Sequence, residues 1–369
     1  MYQKVIFLMV FLVAPFLVAQ ENSKTTLRNL FHSNAYHMDM PYEEETRSER
    51  NVGILGGASL VKSLETHAFI QVFSVASQET MDQFKLRRGE ISFKGVLTDS
   101  ADFFVMFDPV KGLSENKTVS GTTIKQFKKD ASILQDLGLT FKVLNNKLVI
   151  GQFKRPISLE ALQSSGALEL LERATVVQIL GDKRDVGAMV QGEVKTFKLQ
   201  YMIALFNGEG PNNADLNNQK DVSGMLTFKP WEEAQLYVSV YEGTQGAFND
   251  AQTRYGVGGL WNKGPYVLKM EYLTAKDGSI EKDGWYILGA YSLSNLGVEF
   301  LKPVRLAVRY EEWDADTAND VEIHLWTFGG QYFLDEKGAS KLAADIFYQD
   351  GKGQEKDDLG LMFGFQGKF

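Results

Sequence analysis

The sequence predicts an all-β protein, a transmembrane antiparallel β-barrel of about 16 strands. Three observations carry that reading. The chain ends in a run of strict period-two alternation that closes on an aromatic residue. The same two-faced pattern recurs through residues 67–369, in short runs separated by turns. An apolar segment of export type stands at the start.

Taken in order, residues 1–19 hold one cation, Lys4, followed by an apolar run from Val5 to Val18. That run is shorter than the roughly 20 residues a spanning helix needs, so it reads as a cleaved signal peptide. Residues 20–66 are polar and mixed in charge and read as an N-terminal extension; the run around 53–61 is left outside the strand count. No second long apolar run follows, which excludes helical membrane spans. Cysteine is absent, which excludes disulfides, thiolate chemistry and zinc–thiolate sites. The net charge of −8 argues against nucleic acid as a partner.

The terminal stretch DLGLMFGFQGKF places Leu359, Leu361, Phe363, Phe365 and Phe369 on one face. Gly360, Met362, Gly364, Gln366 and Lys368 fall on the other. A strand ending in an aromatic such as Phe369 resembles the signal read by the barrel-assembly machinery of bacterial outer membranes. Phe197 to Leu205 alternate with Lys198, Gln200, Met202 and Ala204, and Leu306 and Val308 alternate with Arg305, Ala307 and Arg309. A Lys or Arg at the lipid midplane costs roughly 2–4 kcal/mol. Parity therefore assigns the apolar set to lipid and the charged set to the lumen.

Sixteen runs qualify as strands, from 67–78 to 358–369. Short and long connections largely alternate between them, as barrels with short periplasmic turns and long outer loops require. The link SNLGVEFLKP breaks the alternation. The third outer loop, 154–183, is about thirty residues long and carries charges of both signs. A barrel of this size encloses an aqueous channel, and a loop folded inward would narrow it. Leu159 with Leu162, and Leu168 with Leu171, have helical spacing suited to packing that loop on the wall. Glu172 beside Arg173, or Glu169 four residues before that arginine, could pair with it and pin the loop.

The stretch GQFKRPISLEALQSSGALELLERA, with LRRGEISFKG at 86–95, the DA pair at 130–131 and the terminal strand, resembles the phosphate-selective porin O and P family. The resemblance runs from roughly Phe84 to Phe369. It implies an outer-membrane barrel, often trimeric, whose third loop enters the pore and whose basic residues attract anions. The matching positions are Arg87, Arg88, Lys154, Ser164, Ser165 and Arg173. Parity sends Arg88 to the lumen with Glu90, Ser92 and Lys94, and Arg87 outward or to the rim.

An anion filter needs fixed cationic donors that replace hydration. The candidates are Arg88, Lys94, Lys142, Lys154, Arg155, Arg173, Lys198, Arg305 and Arg309. No H-E-x-x-H or G-x-S-x-G occurs, so no enzyme is expected, nor any cofactor or metal site. His324 is expected to face the lumen. The expected function is an outer-membrane porin for small hydrophilic solutes, anion-preferring, with phosphate or similar ions as partners. The rival is a non-transporting structural or adhesin-type barrel. Outer-membrane lipids and a homotrimer complete the expected partners.

Overall fold

The computed structural model describes residues 61–79, 83–112, 115–119, 122–126, 133–246, 250–319, 321–353 and 355–369. The signal peptide, the run around 53–61, nearly all of the 20–66 extension and the DA pair lie outside the described residues. Strands are β1 (Ser63–Ser77), β2 (Gln83–Thr98), β3 (Ala101–Phe107), β4 (Glu115–Val119), β5 (Thr122–Gln126), β6 (Leu134–Val143) and β7 (Asn146–Lys154). They continue as β8 (Arg184–Val194), β9 (Leu199–Phe206), β10 (Asp221–Trp231), β11 (Ala234–Gln245), β12 (Asp250–Lys263) and β13 (Tyr266–Asp277). The last are β14 (Ile280–Ser292), β15 (Val304–Asp314), β16 (Glu322–Phe333), β17 (Ser340–Gly351) and β18 (Asp358–Lys368).

Sixteen of these form one closed antiparallel barrel in chain order, and β4 with β5 form a separate hairpin between β3 and β6. The seam is β1 on β18, in register from Phe69↔Lys368 to Ser77↔Gly360. Each predicted run coincides with one barrel strand; the β4–β5 hairpin was not predicted. The irregular link between β14 and β15 is real, with two 3-10 turns at Leu293–Leu296 and Glu299–Leu301. Strand β9 begins later than predicted because Lys198 adopts a left-handed conformation, φ 50°, closing the turn Lys195–Phe197.

The two faces sort as parity requires. In β9, Ile203 and Leu205 are 58% and 53% exposed, whereas Met202 and Ala204 are 3% and 1% exposed. In β18, Leu361, Phe363 and Phe365 are exposed and Gln366 is buried. A soluble protein would show the reverse: here the apolar face meets the surroundings and the polar face is enclosed. Among the described residues no helix is long and apolar enough to cross a membrane.

The largest buried apolar cluster joins Ile157, Leu159, Leu162, Leu170, Val177 and Leu180 of the β7–β8 connection to inward residues of the wall. Those wall residues include Tyr237 and Tyr241 of β11, Leu273 of β13, Tyr286 and Leu288 of β14, Trp313 of β15 and Ile323 of β16.

Candidate functional site

Local irregularities of the sheet set the geometry. Gln71 opposes Arg88 while Val72 opposes Leu86, so Arg87 is the extra residue of a β-bulge. A bulge re-aims side chains, and Arg87 does not point outward as alternation predicted. It donates twice to the Glu172 carboxylate of the β7–β8 connection, NH2 to Oε2 at 2.9 Å and Nε to Oε1. Arg88 donates to Gln71 Oε1 at 2.6 Å. After β3, Asp108 accepts from Gly89 N at 3.0 Å and Val110 N at 3.2 Å. This ties the short turn Pro109–Gly112 to β2 and brings Lys111 Nζ to Gln135 Oε1 at 2.6 Å. Lys154 and Arg184 face each other across the β7–β8 pair. Arg184 grips Asp136 at 2.8 and 3.3 Å, and Lys154 sits 3.3 Å from Asp182 and donates to Ala161 O.

These groups enclose a cavity of about 160 Å³. Six cations line it: Arg87, Arg88, Lys111, Lys154, Arg173 and Arg184. Only three carboxylates, Glu90, Glu172 and Asp182, oppose them, with Gln135, Ser165 and Gln178 supplying neutral polar groups. The excess is three positive charges in a confined space. Burial works against ionisation of Asp182, but Lys154, Arg173 and Arg184 hold its carboxyl well below the usual range. Burial likewise opposes ionisation of Glu172, and its bond to Arg87 outweighs it and keeps the carboxyl low. Burial pushes the Lys111 ammonium down, with Arg184 adding to the effect. An anion placed here would meet charge-assisted donors with little competing water.

Residues 155–183 are held by hydrogen bonds to wall side chains. Glu271 accepts from Leu159 N at 3.2 Å and Glu160 N at 2.8 Å. Asp345 accepts from Leu171 N at 2.7 Å, and Glu311 from Thr175 N at 2.9 Å. Gln331 and Lys341 donate to Leu168 O at 2.8 and 2.9 Å, and Gln366 donates to Gly166 O at 2.7 Å. Leu159–Leu162 forms an α-helical turn, α1, capped by the Ser158 hydroxyl, and Val177–Gly181 forms a π-helical turn. The helix expected at Leu168–Leu171 is absent because wall side chains take the backbone groups a helix would use. Burial raises the Glu160 carboxyl to about 7, the nearby cations Arg309 and Lys269 notwithstanding.

The nine predicted cations separate. Arg88, Lys154 and Arg173 meet in the cavity. Arg173 is pinned by two carbonyls, a hydroxyl and Asp182, not by Glu169 or Glu172: it donates to Glu160 O at 3.0 Å, Gln163 O at 2.5 Å, Ser165 Oγ at 3.2 Å and Asp182 Oδ2 at 3.4 Å. Glu169 pairs with Lys269 instead. Arg155 pairs with Asp185 and lies 4.5 Å from the Tyr241 ring centre. Arg309 donates to Glu172 O at 2.8 Å. Four others lie toward the short-turn end of the barrel. Lys142 is 3.4 Å from Asp102, Arg305 stacks 5.1 Å from Phe333, Lys198 donates to Pro230 O at 2.8 Å, and Lys94 is exposed opposite Glu65. Lys111 and Arg184 escaped the sequence reading, and of the two places expected for Arg87, outward or at the rim, the bulge rules out the outward one. His324 does not face the lumen: it shares the outward parity of Trp326 and Phe328, both exposed, opposite to buried Ile323 and Thr327.

The sequence profile of the phosphate-selective porin O and P family matches residues 63–245. The chain belongs to that porin family. No curated protein matches the sequence. Solved structures share the fold of this porin at low identity. An anion-selective porin from Comamonas acidovorans is 10% identical, with a TM-score of 0.60 over 83% of this chain and 99% of that one. Salmonella typhi OmpF, in complex with daunomycin, is 12% identical, with a TM-score of 0.57 over 83% and 97% of the two chains. The trimer form of Vibrio cholerae OmpT is 12% identical, with a TM-score of 0.54 over 83% and 99%. The porin is an outer-membrane protein whose β-strands cross the bilayer.

Proposed function

We propose that this porin is a passive, anion-preferring diffusion channel for small hydrophilic solutes such as phosphate, and a channel rather than an enzyme. The carrying observation is the cavity where six cations face three carboxylates beside the β7–β8 connection. Segment 154–183 is the constriction in this reading, because its backbone is tied to wall side chains from β11 to β18. The family name and the anion-selective porin of like fold point the same way. The exposed apolar faces suit lipid and a homotrimer, and β18, ending next to Phe369, suits recognition by the assembly machinery.

Reversal potentials of the reconstituted porin in a salt gradient test this. Anion selectivity, reduced in Lys111→Gln and Arg184→Gln, is the expected result; cation selectivity would sink it. A second reading, a plugged and non-transporting barrel, draws on the apolar cluster that fills space between the connection and the wall. Absence of any unitary conductance would favour that reading.

A further inference from the structure

On the outer face of the barrel, three adjacent strands bring metal-ligating side chains into one row. Trp285, Glu312, His324 and Asp350 stand in direct cross-strand register on β14, β15, β16 and β17. Glu322 precedes His324 by two residues and shares its face. The next row on this face is Ile287, Tyr310, Trp326 and Tyr348, in register across the same strands. Such an aromatic band marks a membrane–water interface. The carboxylate row therefore stands at the band's loop-side edge, where water and ions reach it.

The hydrogen bonds fix which imidazole nitrogen is free. The Tyr310 hydroxyl has one proton, and it donates that proton to Glu312 Oε1 at 2.7 Å. The contact of 3.0 Å between Tyr310 Oη and His324 Nδ1 then requires Nδ1–H to be the donor. In neutral imidazole this leaves the lone pair on Nε2. That atom is buried and has no hydrogen-bond partner. It faces Glu322 Oε2 at 3.5 Å, too far for a hydrogen bond. A lone pair opposed to a carboxylate is a repulsive arrangement that an intervening cation converts into an attractive one. One ligand atom from each of Glu312, Glu322 and His324 lies within 4.8 Å of the other two.

We infer that Glu312, Glu322 and His324 form a divalent metal site on the outer rim of the barrel, suited to zinc. One imidazole and two carboxylates form a nitrogen–oxygen set that zinc accepts, with a fourth position left for water. A tetrahedral zinc with bonds near 2.0–2.1 Å places its ligands about 3.3–3.4 Å apart. Glu322 Oε2 is already 3.5 Å from Nε2, whereas Glu312 Oε1 lies 3.6 Å from Nδ1 and turns toward Nε2 to complete the set. The supporting shell is already in place. Tyr310 orients His324, and Trp285 Nε1 donates to Glu312 Oε2 at 2.9 Å. Lys352 Nζ, 2.9 Å from Glu322 Oε2, is the cation that zinc would displace.

Titrating Zn²⁺ into the purified, detergent-solubilised barrel by calorimetry tests the site. The expected result is one saturable site per chain, weakened about tenfold or more in Glu322→Gln and His324→Ala. Tyr310→Phe should weaken binding roughly tenfold although it removes no ligand, and Lys352→Ala should strengthen it. Heat-modifiable migration verifies folding, and Glu322→Gln remains decisive if His324→Ala does not fold. No saturable binding, or equal affinity in wild type and Glu322→Gln, would overturn the proposal.

Discussion

The two sides of the β7–β8 connection teach different things about one enclosed space. Toward β9–β16 the segment presents Leu159, Leu162, Val177 and Leu180 and completes an apolar core. Toward β2, β6 and β8 it presents Ser165, Glu172, Arg173, Gln178 and Asp182 and completes a charged cavity. In the proposed function the same thirty residues serve as core on one side and as filter on the other. That reading assigns stability to the first side and selectivity to the second, and substitutions should separate the two.

The largest expected effect is on the packed side. Glu271 accepts from Leu159 N, Glu160 N, Tyr237 Oη and Tyr286 Oη. Glu271→Leu would orphan four buried donors at ~1–3 kcal/mol each before relaxation. Unfolding of the solubilised barrel should show a drop of several kcal/mol, and single-channel records should become noisy. A quiet channel of unchanged stability would break the division of roles.

Next comes the pH dependence of Glu160. Its folded pKa of about 7 lies above the unfolded value, so the folded state binds the extra proton. This stabilising contribution is complete below the unfolded carboxyl value and is lost as pH rises through about 7. The loss amounts to ~3 kcal/mol. Glu160→Gln should flatten stability between pH 5 and 8, measured as thermal midpoint.

Smaller still is the effect of one charge on the filter side. Removing a charge ~7 Å from a permeating anion in water is worth ~0.6 kcal/mol, about threefold. The same charge repels a cation by as much, so Lys111→Gln should lower the anion-to-cation permeability ratio about sevenfold with little change in stability. The smallest effect belongs to Lys198, exposed in its turn and bonded to Pro230 O. Lys198→Gln should change the reversal potential by no more than the scatter between recordings.

The strands were legible because lipid enforces period two on every run, and Ile203, Leu205 and Phe363 lie where parity put them. Arg87 was not legible: a one-residue bulge reverses the face that alternation assigns, and no sequence signal marks it. Arg184 and Lys111 sit at a strand end and in a short turn, where parity says nothing. The pinning of residues 155–183 was legible only as apolar spacing, because its hydrogen bonds join side chains to backbone groups a hundred or more residues away. His324 fell on the wrong face because a polar side chain was assigned to the lumen, whereas at the loop-side edge of the barrel polar residues also stand on the outer face.

The bond from Gln366 to Gly166 O spans 200 residues and reaches a strand at the seam. Gly166 also sits against the end of the Lys368 side chain and the Phe69 ring. Its seat is made of β18 and β1, so it does not exist until those two strands have met. Closing the seam and seating the segment are therefore coupled, because the contacts of Gly166 form only where β1 and β18 stand side by side.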